Sequence, residues 1–249
     1  MRKFLPALFS SAAWLTALPM SLPTPAGAAS LQVAPVTLEI PAPGASATIK
    51  LRNEGGAALH AQIRVFRWTE VNGEEKLEPT DDVVASPPMA SLAPKADYVV
   101  RLIRLAKRPI AGGESYRLLV DELPDPSRLK NGVVAIVLRY SIPVFFYPAE
   151  AASPKLTWSV TQSVGKVQLS ATNDGDRHVR LANLKLQAAD GTSIMFGSGL
   201  AGYVLGHSTM RWTAPANGKN RIGAGSSVAI TAQSDSGPIS ASPVMQSAR

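Results

Sequence analysis

Residues 131–148 read NGVVAIVLRYSIPVFFYP, and the fold is decided by how this stretch is read. Along an extended chain successive side chains point to opposite faces. Val134, Ile136, Leu138 and Tyr140 then share one face, and Val133, Ala135, Val137 and Arg139 share the other. Both faces are apolar over most of the run, which is the pattern of a strand covered on both sides. Asn131-Gly132 supplies a turn ahead of it. Pro143 removes one donor from the ladder near its far end and moves the strand toward a sheet edge. An edge strand with no polar side invites pairing with another chain, and such pairing is the role expected for it. The same run also fits an interior strand buried within its own sheet, as apolar runs of this length usually are.

The chain around it has the composition of an all-β protein. Its 249 residues hold one large or two ordinary domains. Short apolar runs alternate with Gly, Pro, Asn and Ser turns, and no long amphipathic helical pattern appears. The first strand is expected over residues 31–40, kinked at Pro35, and a second over 46–52. A clearly alternating third covers 59–69, with Ala61, Ile63, Val65 and Arg67 on one side and Gln62, Arg64, Phe66 and Trp68 on the other. Residues 77–94 are polar and carry Pro87-Pro88, so they read as a connection. Strands at 97–105 and 115–123 follow, which makes about seven at sandwich-like spacing before Pro148. Residues 149–154 are small and proline-flanked and form the expected linker between an N-terminal domain (29–148) and a smaller one (155–249). In the latter, strands are expected at 156–160, 166–173, 178–187, 203–212 and 227–232.

Residues 1–28 have the order of a signal peptide: basic Arg2 and Lys3, an apolar run to Met20 broken by Pro6 and Pro19, and a small-residue cleavage site at Ala26-Gly27-Ala28. No later stretch is long and apolar enough for a helical span. The expectation is an exported chain with no stable membrane insertion; the alternative, an uncleaved membrane anchor, is disfavoured by the prolines and the short apolar run. Its formal net charge of +7 falls by two when Arg2 and Lys3 are removed. The remaining positive residues are scattered rather than gathered on an aromatic-bearing face, which argues against nucleic acid. The absence of cysteine excludes thiolate metal sites and cysteine catalysis, and leaves an exported fold to be held by its core alone.

The rival chemistries have thin support. Histidine occurs only at 60, 178 and 207. These positions are far apart, are expected at the surface, and suit neither zinc nor a catalytic triad. No serine sits in a G-x-S-x-G elbow, and no phosphate-binding Gly-rich loop ends in Lys-Ser/Thr. Asp81-Asp82 and Asp174-Gly175-Asp176 read as turns rather than calcium loops. Trp68, Trp158 and Trp212 read as sandwich core before a carbohydrate platform. No enzyme activity, metal or cofactor is therefore expected.

With these residues in place, the chain resembles the periplasmic pilus-assembly chaperones, the PapD-like family of chaperone–usher systems. The resemblance spans nearly all of the expected mature chain. It rests on Ser86-Pro87-Pro88, the run from Leu92-Ala93-Pro94 to Val100-Arg101-Leu102, Glu114-Ser115-Tyr116-Arg117 leading to Glu122-Leu123-Pro124, and Phe145-Phe146-Tyr147-Pro148. In the second half it rests on Asn173-Asp174-Gly175, Val204-Leu205-Gly206 and Ser234-Asp235-Ser236-Gly237. Tyr116-Arg117 and Ile142-Pro143-Val144-Phe145 look like the archaic branch that serves spore-coat-U-like subunits.

The resemblance implies two immunoglobulin-like β-sandwiches at an angle with a cleft between them. It implies a periplasmic chaperone that lends a strand to unfinished pilus or fimbrial subunits and hands them to an outer-membrane usher. This is β-augmentation with side-chain pockets. The donated residues would be Val134, Ile136, Leu138 and Tyr140. The family's better-known branch anchors the subunit's terminal carboxylate with an arginine in the first strand and a lysine late in the donor strand. Here residues 31–40 lack a basic residue and Pro143 stands at the lysine's place. The anchor candidates are Arg117, then Arg139, then Arg101. Of the family's interdomain ion pairs, Glu114 and Asp235 match as interdomain residues, but the set is incomplete, because Tyr147 stands where the family's partner arginine would be. The sequence leaves the resting oligomeric state open, with a self-capping homo-oligomer among the options. The alternative function is an exported structural or adhesive Ig-like surface protein.

Overall fold

The computed structural model describes residues 30–124, 137–216, 222–223 and 225–247, and among them every regular element is a strand. The first ten are β1 (Leu31–Ala34), β2 (Leu38–Pro41), β3 (Ser46–Asn53), β4 (Leu59–Val71), β5 (Glu74–Pro79), β6 (Val83–Ser86), β7 (Met89–Leu92), β8 (Asp97–Arg104), β9 (Glu114–Leu123) and β10 (Arg139–Tyr147). They form two sheets. One runs β1-β3-β8-β6, the other β2-β10-β9-β4-β5, with β7 also on β4. The second half adds β11 (Leu156–Ser163), β12 (Lys166–Asn173), β13 (Val179–Ala188), β14 (Ser193–Met195), β15 (Leu200–Val204), β16 (Ser208–Pro215), β17 (Val228–Ser234), β18 (Gly237–Ala241) and β19 (Met245–Ser247). These make a β16-β12-β11-β19 sheet facing a β14-β13-β17-β18 sheet, with β15 on β13.

Period-two alternation builds each core. In the first sandwich Ala61 and Ile63 of β4, Leu118 and Val120 of β9, and Ile142, Val144 and Phe146 of β10 meet Ile49, Leu51, Val100 and Leu102 of the opposite sheet. The second core gathers Val167, Leu169, Leu181, Leu184, Leu186, Val204, Trp212 and Ile230. Burying side chains of this kind contributes roughly 1.5–3 kcal/mol each, an upper bound set by the extended-chain reference. With no disulfide, burial of this kind carries the stability.

Several expectations are corrected. Residues 31–40 are two strands in different sheets: β1 pairs with β3 and β2 pairs parallel with β10, the chain crossing between layers at residues 35–37. The stretch 77–94 is not bare connection, because β5 ends within it and β6 and β7 lie within it. These are edge strands of four to six residues; β5 is exposed throughout, so burial wrote no alternation into it, and β6 and β7 are only four residues long. Residues 203–212 are two strands, β15 and β16, joined by a turn. Trp68 lies outside the first core, in a separate cluster with Phe145, Tyr147, Tyr203 and Leu205 that joins the two sandwiches.

Two buried asparagines close the sandwiches in the same way. Asn53, at the end of β3, donates to the carbonyls of Ala57, Leu92 and Ala93 and accepts from Gly55 N–H. Asn173, at the end of β12, donates to those of Arg177, Val204 and Leu205 and accepts from Lys155 and Gly175 N–H. Buried loop carbonyls need donors, and a primary amide with two N–H groups and one acceptor supplies them from one side chain. At the seam, a Cβ on Gly113 would sit 2.3 Å from the carbonyl oxygen of Asp176, so only glycine lets the two backbones meet there.

Candidate functional site

β10 is paired unevenly. Along its whole length it lies antiparallel to β9, from Arg139 opposite Asp121 to Phe146 opposite Glu114. On its other side β2 covers only Val144–Tyr147. From Arg139 to Pro143 the outer edge has no strand beside it among the described residues. Val134 and Ile136 lie outside the described residues. Leu138 and Tyr140 follow the same parity as Ile142, Val144 and Phe146 and pack, half-buried, against the first core. The Tyr140 hydroxyl donates to the carbonyl of Leu31, and Glu122 N–H donates to Leu138 O at 2.9 Å.

The opposite face of this sheet forms the floor of a cleft. Cross-strand register places Pro79, Phe66, Arg117 and Pro143 in one row; beside it Trp68 stands opposite Leu77 and Phe145 opposite Glu39, the Trp68 and Phe145 ring centres 5.8 Å apart. Tyr203 and Leu205 of the second sandwich cover Trp68, Phe145 and Tyr147. Beyond them the floor is open, with Leu77 40% exposed. At its far end Arg64 and Arg139 both bond the Asp121 carboxylate, the former at 2.6 Å. Burial pushes that carboxyl up, but the bonds from Arg139 and Arg64 outweigh it and hold it below its usual value. A groove of about 340 Å³ lined by Gln62, Arg64, Asp121, Glu122, Leu123, Val137, Leu138 and Arg139 lies across β4, β9 and the start of β10.

The three arginine candidates part company. Arg117 is at the border of floor and seam, its side chain only 11% exposed. Its guanidinium lies 3.6 Å from the Trp68 ring centre and 5.1 Å from that of Tyr203, with Glu75 Oε1 3.6 Å away. Burial lowers its pKa, and the Glu75 carboxylate opposes the change. Arg139 is exposed at the cleft's mouth and already paired to Asp121. Arg101 is a correction. It projects from the exposed face of β8, between the buried Val100 and Leu102, on the sheet that does not border the cleft. Runs of alternating residues could not say which of the two sheets β8 joins.

The two acids expected between domains find their ion-pair partners within their own sandwiches, although Asp235 lines a cavity together with Glu39 and Tyr147 of the first. Glu114 is held within the first sandwich by a two-point bond from Arg104, at 2.9 and 2.8 Å, and by the Tyr116 hydroxyl. Asp235 pairs with Arg180 inside the second. The seam is instead made by residues the sequence did not single out. Arg177 reaches Glu39 at 3.5 Å, Glu70 accepts from Leu205 N–H, and Arg211 holds the β4–β5 hairpin tip. His178, expected at the surface, is stacked on Phe145 at 3.7 Å and hydrogen-bonded to the Tyr147 hydroxyl. No group of three or more metal-ligating side chains occurs among the described residues.

Residues 30–152 match the family model described as "Pili and flagellar-assembly chaperone, PapD N-terminal domain". A search of curated proteins gives no match. Solved structures do match. A chain of the CsuC–CsuE chaperone–tip adhesion subunit pre-assembly complex, from archaic chaperone-usher Csu pili of Acinetobacter baumannii, is 25% identical over 89% of this chain and 100% of its own, with a TM-score of 0.67. The YadV chaperone is 18% identical over 86% of this chain and 98% of its own, TM-score 0.61. The Pseudomonas aeruginosa CupB2 chaperone is 19% identical over 86% and 100%, TM-score 0.56. The last two speak to the fold alone.

Proposed function

Because this chain belongs to the PapD-like family of pilus-assembly chaperones, we propose that it captures pilus or fimbrial subunits by donor-strand complementation. The observation that carries the reading is the uneven pairing of β10, whose outer edge, among the described residues, has no strand beside it from Arg139 to Pro143 and is covered only beyond it. A subunit lacking its last strand pairs along that free edge and along the residues ahead of it. Val134, Ile136 and Leu138 fill the subunit's groove, with Tyr140 nearest the chaperone's own core. Each large aliphatic side chain so buried contributes about 1.5–3 kcal/mol, and the sum must exceed the cost of association and ordering.

Arg117 anchors the subunit's terminal carboxylate. A carboxylate entering an apolar cleft needs a cation, and Arg117 is the arginine at the floor's inner border. Arg139, at the mouth and tied to Asp121, is the second choice. The chaperone works in the periplasm after loss of residues 1–28, in a chain whose domains run from 29 to 148 and from 155 to 249. It delivers its subunit to an outer-membrane usher. Without a subunit, the free edge and the apolar run pair with a second copy of the chain.

The test is to recover the tagged chaperone from the periplasm of cells expressing its genomic neighbours and to weigh what travels with it. A stoichiometric partner with an incomplete sandwich supports the reading. A monodisperse monomer that binds none of them points to the structural or adhesive alternative.

A further inference from the structure

The β4–β5 hairpin of the first sandwich ends on the second. Arg211 N–H donates to Gly73 O at 3.0 Å, and the Arg211 guanidinium donates to Asn72 O at 2.6 Å. Gly73 has φ +84°, and a Cβ there would lie 2.4 Å from Arg211 Cγ. The hairpin tip and β16 therefore meet with no room for a side chain between them. Two residues before the tip, Glu70 takes the Leu205 N–H at 3.2 Å and the Ser208 hydroxyl, both on the same Oε2. Its other oxygen, Oε1, is buried with no hydrogen-bond partner among the described residues.

The surroundings of this carboxyl favour its neutral form. Among the described residues its side chain takes part in no ion pair. Its cross-strand neighbour on β5 is Glu75, whose own counter-charge, Arg117 of β9, stands 3.6 Å from Glu75. From the second sandwich, Ser208 is uncharged. His207 is turned to Asp176 at 2.7 Å, and Arg211 is engaged with Asn72. A carboxylate here would carry a buried, unpartnered oxygen next to a like charge, which costs more than a neutral carboxyl in the same place.

We propose that Glu70 is a proton-operated clasp between the sandwiches: neutral, it holds the β15–β16 turn to the hairpin, and ionised, it loosens that hold and widens the cleft. The clasp bears on the cleft because Tyr203, which lies over Arg117, is only two residues from Leu205. Burial raises the Glu70 carboxyl to about 7, with Glu75 adding to the shift and the Ser208 and Leu205 bonds opposing it. The stabilisation is complete below the unfolded value of 4.5 and is lost as pH rises through about 7. His178, held near 4, changes charge below this window.

The chain has no cysteine, so Thr48→Cys and Ser240→Cys put one spin label on an exposed strand of each sandwich. Pulsed dipolar spectroscopy then gives the distance distribution at pH 5.5 and 8.5. With Glu70 present, a narrow distribution at pH 5.5 is expected to broaden at pH 8.5, with a midpoint near 7. Glu70→Gln, which keeps an acceptor and cannot ionise, is expected to stay narrow at both. Glu70→Ala is expected to be broad at both, and if circular dichroism shows it unfolded, the Gln comparison decides alone. Identical distributions at the two pH values with Glu70 present would overturn the proposal. So would a pH dependence that persists in Glu70→Gln.

Discussion

The guanidinium of Arg117 lies flat enough on Trp68 to bring its carbon within 3.6 Å of the ring centre, and this pair marks where the open cleft floor meets the seam between the sandwiches. Arg117 stands directly opposite Pro143 of β10. The stack is a desolvated cation–π contact, worth up to about 2 kcal/mol. Arg117→Ala is therefore expected to cut subunit recovery from the periplasm by at least about ten-fold. Its melting temperature should fall only by the few degrees that about 1–2 kcal/mol gives a chain of this size. Co-purification yield and calorimetry on the same samples check this. Equal loss in both would assign Arg117 to the seam alone.

The donor assignment is tested ahead of β10. Ile136→Asp is expected to abolish subunit recovery while the chaperone itself stays folded, since a charge in the subunit's groove lacks a partner. Leu138→Asp should cost both, because Leu138 also packs on the chaperone's own core. Unchanged recovery with Ile136→Asp would show that the run is not lent out.

Asn173 makes three donor and two acceptor contacts at the end of β12. Asn173→Ala strips donors from buried carbonyls and is expected to destabilise the second sandwich by about 2–4 kcal/mol. Asn53→Ala should do the same to the first. Urea unfolding followed by the fluorescence of Trp212 and Trp68 reports the loss.

Acid should weaken the seam through His178. Burial holds its pKa near 4 against the usual 6.5, so the folded chain prefers the neutral ring. The contribution is complete above pH 6.5 and is lost as pH falls toward 4, at up to about 1.4 kcal/mol per unit. His178→Gln is expected to flatten the acid limb of the stability–pH curve between those values. An acid limb unaltered by the substitution would place the sensitivity elsewhere.

Much of the fold was legible because burial on one face writes itself into alternation. Residues 59–69 show it plainly, with Ala61 and Ile63 turned into the first core and Arg64 and Phe66 on the opposite face, where Trp68 is buried instead by the second sandwich. Where burial was slight, no signal existed. β5 is exposed at every position; β7 does alternate, with Ala90 and Leu92 inward, but over only four residues next to Pro87-Pro88. His178 was missed because a lone histidine among polar residues looks the same in sequence whether it faces water or Phe145.

The amino-acid order alone determined that the chain is all-β, which residues of each long strand turn inward, and which family it resembles, because these depend on near neighbours and on motif spacing. Only the tertiary structure decided which sheet each strand joins, and thus that Arg101 faces away from the cleft while Arg117 borders it. It also decided that Glu114 and Asp235 are satisfied within their own sandwiches, while Glu70, Arg177, His178 and Arg211 make the seam. Those outcomes depend on which distant strands meet. Glu70 and Leu205 are 135 residues apart in sequence, and no local pattern records a contact across that separation.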